Sequence, residues 1–577
     1  MQMSCIGRGI VHMTESGKVE TSALYMNPDR EIAVLNYTNK YVSDIFTLIN
    51  SKELEEVVRL FLDDRRHTAE SQRSDFEDTD PKTYIDTLKA VLLDRSDAFD
   101  TYKREEILFS VEDLYSYYRS YLRIGVVNLH GSEATAKNFM QMDNKFNDVV
   151  IEAYRTIEEK LQGFRNKTYR QVSAGTSACV LTQSLDWPIP HGYEALKPIR
   201  FLETLMLRPP MMMKTPSNRR EGTFTAVPDN PIDKFHGSRS EWYCFPAKIG
   251  ESLAYIYFHR DYFVSGISLA NLFEVASAKD VAGHKPDEIL LFGLPKTEGD
   301  VCHYHHDEEN DIWVGEVPYN DKTTYFGYMK KMCLTLHNLH MIYENRLPIH
   351  GSMVRIKFAN GKNKNVVFFG DSGAGKSESL EALQEIADDK ILSLETIFDD
   401  MGSFTLTDDD LYAQGTEIGA FVRLDDLSSA VAFNNMDRGV YLNPDRKNAR
   451  VIIPADSYNR VVGHHGVDMW VYANNYDKDI GIHRFDNEEE AKATFIEGKR
   501  FALGTTDEVG MSTTFFANPF GPVQEEAKTR PIIDKVFKRL FDQGVYVGEI
   551  YTHLGTDKSK DSLNESAKEL LDELWNS

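Results

Sequence analysis

Gly370 and the triplet Gly375-Lys376-Ser377 stand in the spacing G-x4-G-K-S, inside the run NVVFFGDSGAGKSES over residues 365–379. Glycines at 370, 373 and 375 let a backbone curl until successive N–H groups face one point, an arrangement that suits phosphate oxygens. A helix beginning there adds its positive dipole end. Lys376 would neutralise the β- and γ-phosphates, and the Ser377 hydroxyl would ligand a divalent metal. Gly370, Asp371, Ser372, Gly373, Ala374, Gly375, Lys376, Ser377 and Glu378 therefore read as the cradle of a nucleoside triphosphate.

A phosphate-bound metal needs a carboxylate from a neighbouring strand. The run ILSLETIFDDMG (391–402) is apolar and ends in Asp399-Asp400, so a carboxylate pair is expected at a strand end beside the loop. Asp408-Asp409-Asp410 and Asp425-Asp426 are the alternatives; both sit in polar turns and read as solvated.

These side chains need a scaffold. The apolar VVFF before the loop reads as a strand, and SESLEALQEIA after it as a helix. From His350 onward MVRIKF, NVVFFG, KILSLETIF, GAFVRLDDL, RVIIPA, DMWVYANN and KRFALGT alternate with helical patterns, predicting a mixed α/β core around a central sheet. SACVLTQSL, LAYIYFH, EILLFGL and IWVGEV, from about residue 170, also read as strands. The first 165 residues differ. LEEVVRLFLDD (54–64), PKTYIDTLKAVLLD (81–94), REEILFSVEDLYSYYRSYL (104–122) and NDVVIEAYRTIEEKLQGF (147–164) carry the three- and four-residue apolar period of amphipathic helices. The expected organisation is a helical module over 1–165, a substrate lobe over 166–345 and a nucleotide- and metal-binding lobe over 346–577. The C-terminal SKDSLNESAKELLDELWNS reads as a closing amphipathic helix.

Composition narrows the partners. The 577 residues hold 65 Lys+Arg against 90 Asp+Glu, a net charge of -25, so neither nucleic acid nor an anionic membrane suits the surface as a whole. An anionic substrate must then be held by basic groups gathered in a cleft. Five scattered cysteines (Cys5, Cys179, Cys244, Cys302 and Cys333) suggest a reducing compartment rather than a disulfide framework. The N-terminal MQMSCIGRGIVHMTESG lacks an apolar core of signal-peptide length, and no run of eighteen apolar residues occurs, so a soluble, cytoplasmic monomer or small homo-oligomer is expected.

The segment Tyr325-Phe-Gly-Tyr-Met-Lys-Lys, followed by Pro348-Ile-His350-Gly-Ser and then the phosphate loop, resembles ATP-dependent phosphoenolpyruvate carboxykinase. That family carries Tyr-Gly-Gly-Glu-Met-Lys-Lys, then Met-His-Cys-Ser, then the loop. The resemblance implies a carboxykinase-like mixed sheet and the conversion of oxaloacetate and ATP to phosphoenolpyruvate, CO2 and ADP. It implies that Lys331, His350 and Asp400 ligand Mn2+, while Asp399 and Ser377 serve the Mg2+ carried by ATP. Tyr325 and Lys330 would face the carboxylated substrate. Asn448-Ala-Arg450-Val-Ile-Ile-Pro454 is similar to the family's Asn-Thr-Arg-Val-Ser-Tyr-Pro, which makes Arg450 the bridge between γ-phosphoryl group and substrate. The catalytic set is then Lys330, Lys376, Asp400 and Arg450. Two adjacent lysines beside a dication are chemically apt, because repulsion and burial can free one amine to act as a ligand. Gly504-Thr-Thr-Asp-Glu-Val-Gly510, Asn518-Pro-Phe-Gly521 and Tyr551-Thr-His-Leu-Gly555-Thr-Asp-Lys resemble later segments of the family's nucleotide lobe more weakly.

The loop itself, Gly370-Asp-Ser-Gly-Ala-Gly-Lys-Ser-Glu378, is closer to HPr kinase/phosphorylase, whose His-Gly before the strand matches His350-Gly351; Gly415-Thr-Glu-Ile-Gly-Ala-Phe-Val-Arg-Leu-Asp also resembles that group. A kinase on the same fold, acting on a protein hydroxyl or another small molecule, is the alternative. One departure favours it. In Gly222-Thr-Phe-Thr-Ala-Val-Pro-Asp-Asn-Pro-Ile-Asp-Lys-Phe235, Val227 stands where the carboxykinases place a carboxylate-binding arginine; Arg219, Arg220 and Arg239 are the nearby substitutes.

Other constellations read as structural. Cys302-His-Tyr-His-His-Asp-Glu-Glu has its ligand types too close together to wrap one tetrahedral ion and reads as a solvated loop. Met211-Met-Met reads as core packing. His464-His465 fits a turn cap as well as an active site.

Overall fold

The computed structural model describes residues 23–69, 73–129, 136–169, 172–295, 302–387, 389–424, 436–503, 509–556 and 560–577. It is a mixed α/β protein that divides into two compact units. Unit 1 comprises Met1–Leu185, Ile199–Lys214 and Ser238–Tyr243; unit 2 comprises Asp186–Pro198, Thr215–Gly237 and Cys244–Ser577. Residue 165 thus lies within unit 1 and residue 345 within unit 2. The N-terminal stretch around Cys5, Asp425-Asp426, Gly504–Glu508 and Asp557-Lys558 fall outside the described residues.

In unit 1 the expected helices form as Lys52–Arg66, Pro81–Leu92, Arg104–Ser120 and Ala136–Gln162. Ser51 caps the first through the Leu54 N–H, and Asp80 with Pro81 starts the second, as their residue types favour. The helical module also contains strands that periodicity does not reveal. Leu24–Asn27 pairs antiparallel with Ile32–Asn36, which runs parallel to Leu122–Asn128. Leu122–Asn128 runs parallel to Ala178–Gln183, which pairs antiparallel with Arg200–Leu207. The reading of helix through residue 122 is corrected: helix stops at Ser120, where the β-branched run RIGVVN enters the sheet.

Unit 2 has two larger sheets. In one, Ser252–His259, Glu288–Leu294 and Ile312–Pro318 lie parallel, with His303–Asp307 antiparallel to the last. Their near-continuous apolar runs are those of strands covered on both faces. The histidine-rich stretch is therefore a strand and not a solvated loop. Tyr304 and Cys302 are buried, and His306 stacks on Trp313 with ring centroids 4.1 Å apart. Asp408 to Asp410 do lie exposed in a turn. Met211 and Met213 are buried while Met212 points out. His464 stacks on Tyr412, and the buried His465 bonds Arg355 and the Arg460 carbonyl.

The second sheet is built on the twelve-residue strand Leu347–Phe358. Its first half pairs with Met401–Leu406, and its second half lies between Ile391–Phe398 and Asn363–Phe369. Asn363–Phe369 is followed in parallel by Met469–Asn474 and Tyr546–Tyr551, so three strands end on one side, where ligands of open α/β sheets bind. The helix Gly327–Tyr343, buried almost all round, packs on strands of both sheets. A smaller sheet sets Gly419–Arg423 against Arg450–Pro454, with Arg423 opposite Arg450.

Gly351 is needed where the central strand passes the phosphate-loop strand, because a Cβ there would stand 2.5 Å from the Phe368 carbonyl oxygen. Backbone cannot yield as a side-chain tip can. Gly351→Ala is expected to lower stability by about 1–3 kcal/mol in urea unfolding.

Candidate functional site

The glycine-rich loop Gly370–Gly375 follows the strand Asn363–Phe369 and runs into the helix Lys376–Ile386. Its carbonyls are all engaged. Lys376 Nζ donates to the carbonyls of Gly370 (2.7 Å) and Asp371 (3.1 Å), and Arg500 donates to that of Ser372. Asn475 donates to Gly373 O at 2.9 Å, and Thr552 Oγ1 to Ala374 O at 2.8 Å. The N–H groups of Gly370, Ser372 and Ala374 are engaged too, by His350 O, Asp371 Oδ1 and Asp371 O. What the loop still offers is its other N–H groups, together with the first-turn N–H groups of a helix, which have no intrahelical partner. Gly375 has φ +105, and a Cβ there would stand 2.6 Å from Thr552, so only glycine lets the loop lie this close to the strand end. Asp371 lies 3.0 Å from the Arg500 guanidinium, which anchors the front of the loop. Ser377 stands exposed at the helix start, and Glu378 is half-buried beside it.

The central strand delivers His350 to this loop by register alone. The Gly370 N–H donates to His350 O at 3.1 Å, and the Gly351 N–H donates to Asp400 O at 3.1 Å. His350 is therefore pinned between the loop and the Asp399-Asp400 turn. Its Nδ1 lies 3.0 Å from the Ala517 carbonyl, which can only accept, so Nδ1 carries the proton. Nε2 is left as a lone pair facing Asp400 Oδ1 at 3.2 Å. Burial, with Lys376 nearby, pushes the His350 pKa down and keeps the ring neutral. Two acceptors face each other across a gap that calls for a cation.

The helix Gly327–Tyr343 adds two lysines. Lys330 Nζ lies 2.7 Å and Lys331 Nζ 2.6 Å from Asp400 Oδ2. Lys330 also meets Glu417, at 3.0 Å. The backbone carries Glu417 there, because both the N–H and the hydroxyl of Thr416 bond the Met401 carbonyl. The neighbouring lysines separate. Burial opposes the charge on both, but Asp400 and Glu417 together raise Lys330, whereas burial and the Lys330 charge leave Lys331 lowered. The carboxylates separate as well. Burial would raise both; the two lysines overcome it at Asp400 and hold it well below the usual range, while Asp399, beside that charge, is raised. Burial lifts Glu417 to about 7.

Two aromatic rings gather the remaining cations. Phe421 lies 5.8 Å from Lys330 Nζ, 5.4 Å from the Arg450 guanidinium and 5.9 Å from the Tyr325 ring. Asn448 accepts from Arg450 Nε at 3.2 Å and steadies it. Phe520 carries Lys331 at 4.6 Å and Arg220 at 5.3 Å, with the His350 ring at 6.4 Å. Burial raises the Tyr325 pKa against the opposing fields of Arg450, Lys330 and Arg220. Arg219 instead pairs with Glu221 at 3.0 Å, and Arg239 belongs to unit 1.

Lys330, Lys331, His350, Lys376, Asp399 and Asp400 thus come together, with Tyr325 and Arg450 sharing the Phe421 ring. Glu417, Phe421, Phe520, Arg500 and Thr552 were not singled out from the sequence. Glu417 sits in a run matched only as a resemblance, and the two phenylalanines look like any core residue. Among the described residues no group of three or more His, Cys, Asp and Glu side chains is placed to hold a metal ion. The side chains that could hold a metal here are one imidazole, one carboxylate and one amine with a lowered pKa, a mixed N/O set for a divalent ion. Among those residues too, no helix is long and apolar enough to cross a membrane, and Cys179, Cys244, Cys302 and Cys333 are buried free thiols. No known family model matches this chain, and no curated protein does either.

Two outcomes follow from the electrostatics. Asp400→Asn leaves two buried ammonium groups without their shared partner and should cost about 3–5 kcal/mol of folding stability in denaturant unfolding. Glu417 holds its proton in the folded state up to about pH 7, whereas an unfolded glutamate releases it near 4.5. Between those limits the folded state binds the extra proton, so stability falls as pH rises. Thermal unfolding across that window should show this decline in the wild type and lose it in Glu417→Gln.

Proposed function

We propose that this chain is an ATP-dependent phosphoryl-transfer enzyme of the carboxykinase type, turning oxaloacetate and ATP into phosphoenolpyruvate, CO2 and ADP. The observation that carries the reading is the convergence of Lys331, at 2.6 Å, and His350, at 3.2 Å, on Asp400, with His350 on the strand whose neighbour ends in the glycine-rich loop. Such a set beside a triphosphate cradle matches phosphoryl transfer, where positioning and charge neutralisation supply most of the rate.

Lys331, His350 and Asp400 would hold Mn2+, and Ser377 with Asp399 would serve the Mg2+ of ATP; bound there, the two ions would polarise the substrate oxygens and offset phosphate charge. The other roles belong to the chain. Lys376 would leave the carbonyls of Gly370 and Asp371 to bind the β- and γ-phosphates. Lys330, kept charged chiefly by Asp400, would donate to an oxygen of the anionic acceptor. Arg450, resting on Phe421, would span acceptor and γ-phosphoryl group. Phe421 and Phe520 keep water from these contacts and strengthen them. Arg220 offers the guanidinium that Val227 cannot, and with Tyr325 suits a small carboxylated substrate.

Val227 itself favours a second reading, a kinase with another acceptor. Its backbone is tied to the Tyr304 carbonyl and, at 3.0 Å, to His305 Nδ1, and its side chain offers no charge to a carboxylate where the resemblance aligns the family's arginine.

With Mn2+, Mg2+, ATP and oxaloacetate, purified protein should form phosphoenolpyruvate. Lys376→Ala and Arg450→Ala should each lower kcat/KM by about 10²–10³-fold. His350→Ala should weaken Mn2+ binding, followed by electron paramagnetic resonance, far more than ATP binding. Absence of phosphoenolpyruvate, with label from the γ-phosphate appearing on a protein or another metabolite, would favour the second reading.

A further inference from the structure

Unit 1 contains a cavity of ≈ 150 Å³ that the phosphoryl-transfer chemistry does not use. Its walls come from the strand Ile32–Asn36 and from the helices Lys52–Arg66, Pro81–Leu92, Arg104–Ser120 and Ala136–Gln162, through residues such as Leu35, Val57, Leu88, Val111, Val150 and Ala153. Three separate apolar clusters meet at this space. Val111 and Ile157 belong to one, Tyr37 and Phe146 to the second, and Val57 to the third. The space is partly open to solvent, where Lys40 and Glu53 stand at its edge.

The polar side chains around the cavity are largely engaged elsewhere. Tyr37 donates to Asp143 at 2.9 Å, Tyr118 to the Gly175 carbonyl at 2.8 Å and Tyr154 to Glu112 at 2.9 Å. Ser51 Oγ accepts from the Leu54 N–H at 3.0 Å. Lys40 and Glu53, the charged side chains of the lining, pair with each other at 2.7 Å. Ring faces and aliphatic carbons are what the walls present, the Tyr115 and Tyr154 rings being stacked 3.8 Å apart. Walls of this kind give water few partners, so an apolar guest gains by displacing it.

We propose that this cavity is a binding site for a compact, uncharged apolar ligand, an aromatic ring or alkyl group of about six to eight carbons. Few polar atoms face it, so selection is by size and shape. The site stands independently of the phosphoryl-transfer reading, since none of its residues belongs to that machinery.

The test uses the full chain with toluene as probe, read by saturation-transfer NMR and by thermal unfolding. Toluene should give a transfer signal and raise the melting temperature. Ala153→Phe, which fills the cavity, should weaken toluene binding at least tenfold and leave ATP binding unchanged. Val57→Ala, which enlarges it, should shift the preference from toluene toward naphthalene. A wild-type chain that shows no toluene signal overturns the proposal, as does an equal signal in Ala153→Phe. Should Ala153→Phe fail to fold, an unchanged toluene-to-naphthalene ratio in Val57→Ala overturns it instead.

Discussion

One carboxylate organises the centre of unit 2. Asp400 accepts both lysines of the helix Gly327–Tyr343 on one oxygen and faces the His350 lone pair with the other. Removing charges from water is costly, and a cluster of this kind persists only when every charge is answered nearby. Asp400 is held by backbone as well as by charge, since its carbonyl accepts the Gly351 N–H while the His350 carbonyl accepts that of Gly370. A slip of one residue in the central strand would turn His350 to the other face of the sheet and undo the arrangement.

From that constraint follows a division of labour among like residues. Adjacent lysines in sequence would share one environment on an exposed helix. Here Lys330 has a second carboxylate, Glu417, and stays charged, while Lys331 lacks that contact and bears the repulsion of its neighbour. Asp399 and Asp400 divide in the same manner. Groups of one type driven apart in proton affinity are what acid, base and ligand roles require. Phe421 and Phe520 reinforce the effect by placing ring faces, in place of water, against four of the cations.

Much of this was legible in the sequence where a residue type answers a backbone need. Gly375 must be glycine because Thr552 leaves no room, and the G-x4-G-K-S spacing announces that geometry directly. Strands such as Glu288–Leu294 declare themselves by unbroken apolar runs. Other features depend on partners far along the chain. Glu417 has no spacing relation to Lys330, and only the hydrogen bonds of Thr416 to Met401 bring it close. Arg220 was one of three arginines, and the Phe520 ring distinguishes it. The stretch His303–Asp307 looked like a loop because its side chains are polar, yet alternate residues face Trp313 and the core. The short strands of unit 1 were hidden for a related reason, since four or five residues beside long helical patterns leave little periodicity to detect.

The proposed phosphoryl transfer requires a dication between the imidazole and the shared carboxylate. The most direct measurement is anomalous X-ray scattering at the manganese edge from crystals grown with Mn2+ and ATP. The expected result is a peak within coordination distance of His350 Nε2, Asp400 and Lys331 Nζ. A manganese peak elsewhere in the molecule, or an ordered nucleotide with no peak between these side chains, would contradict it.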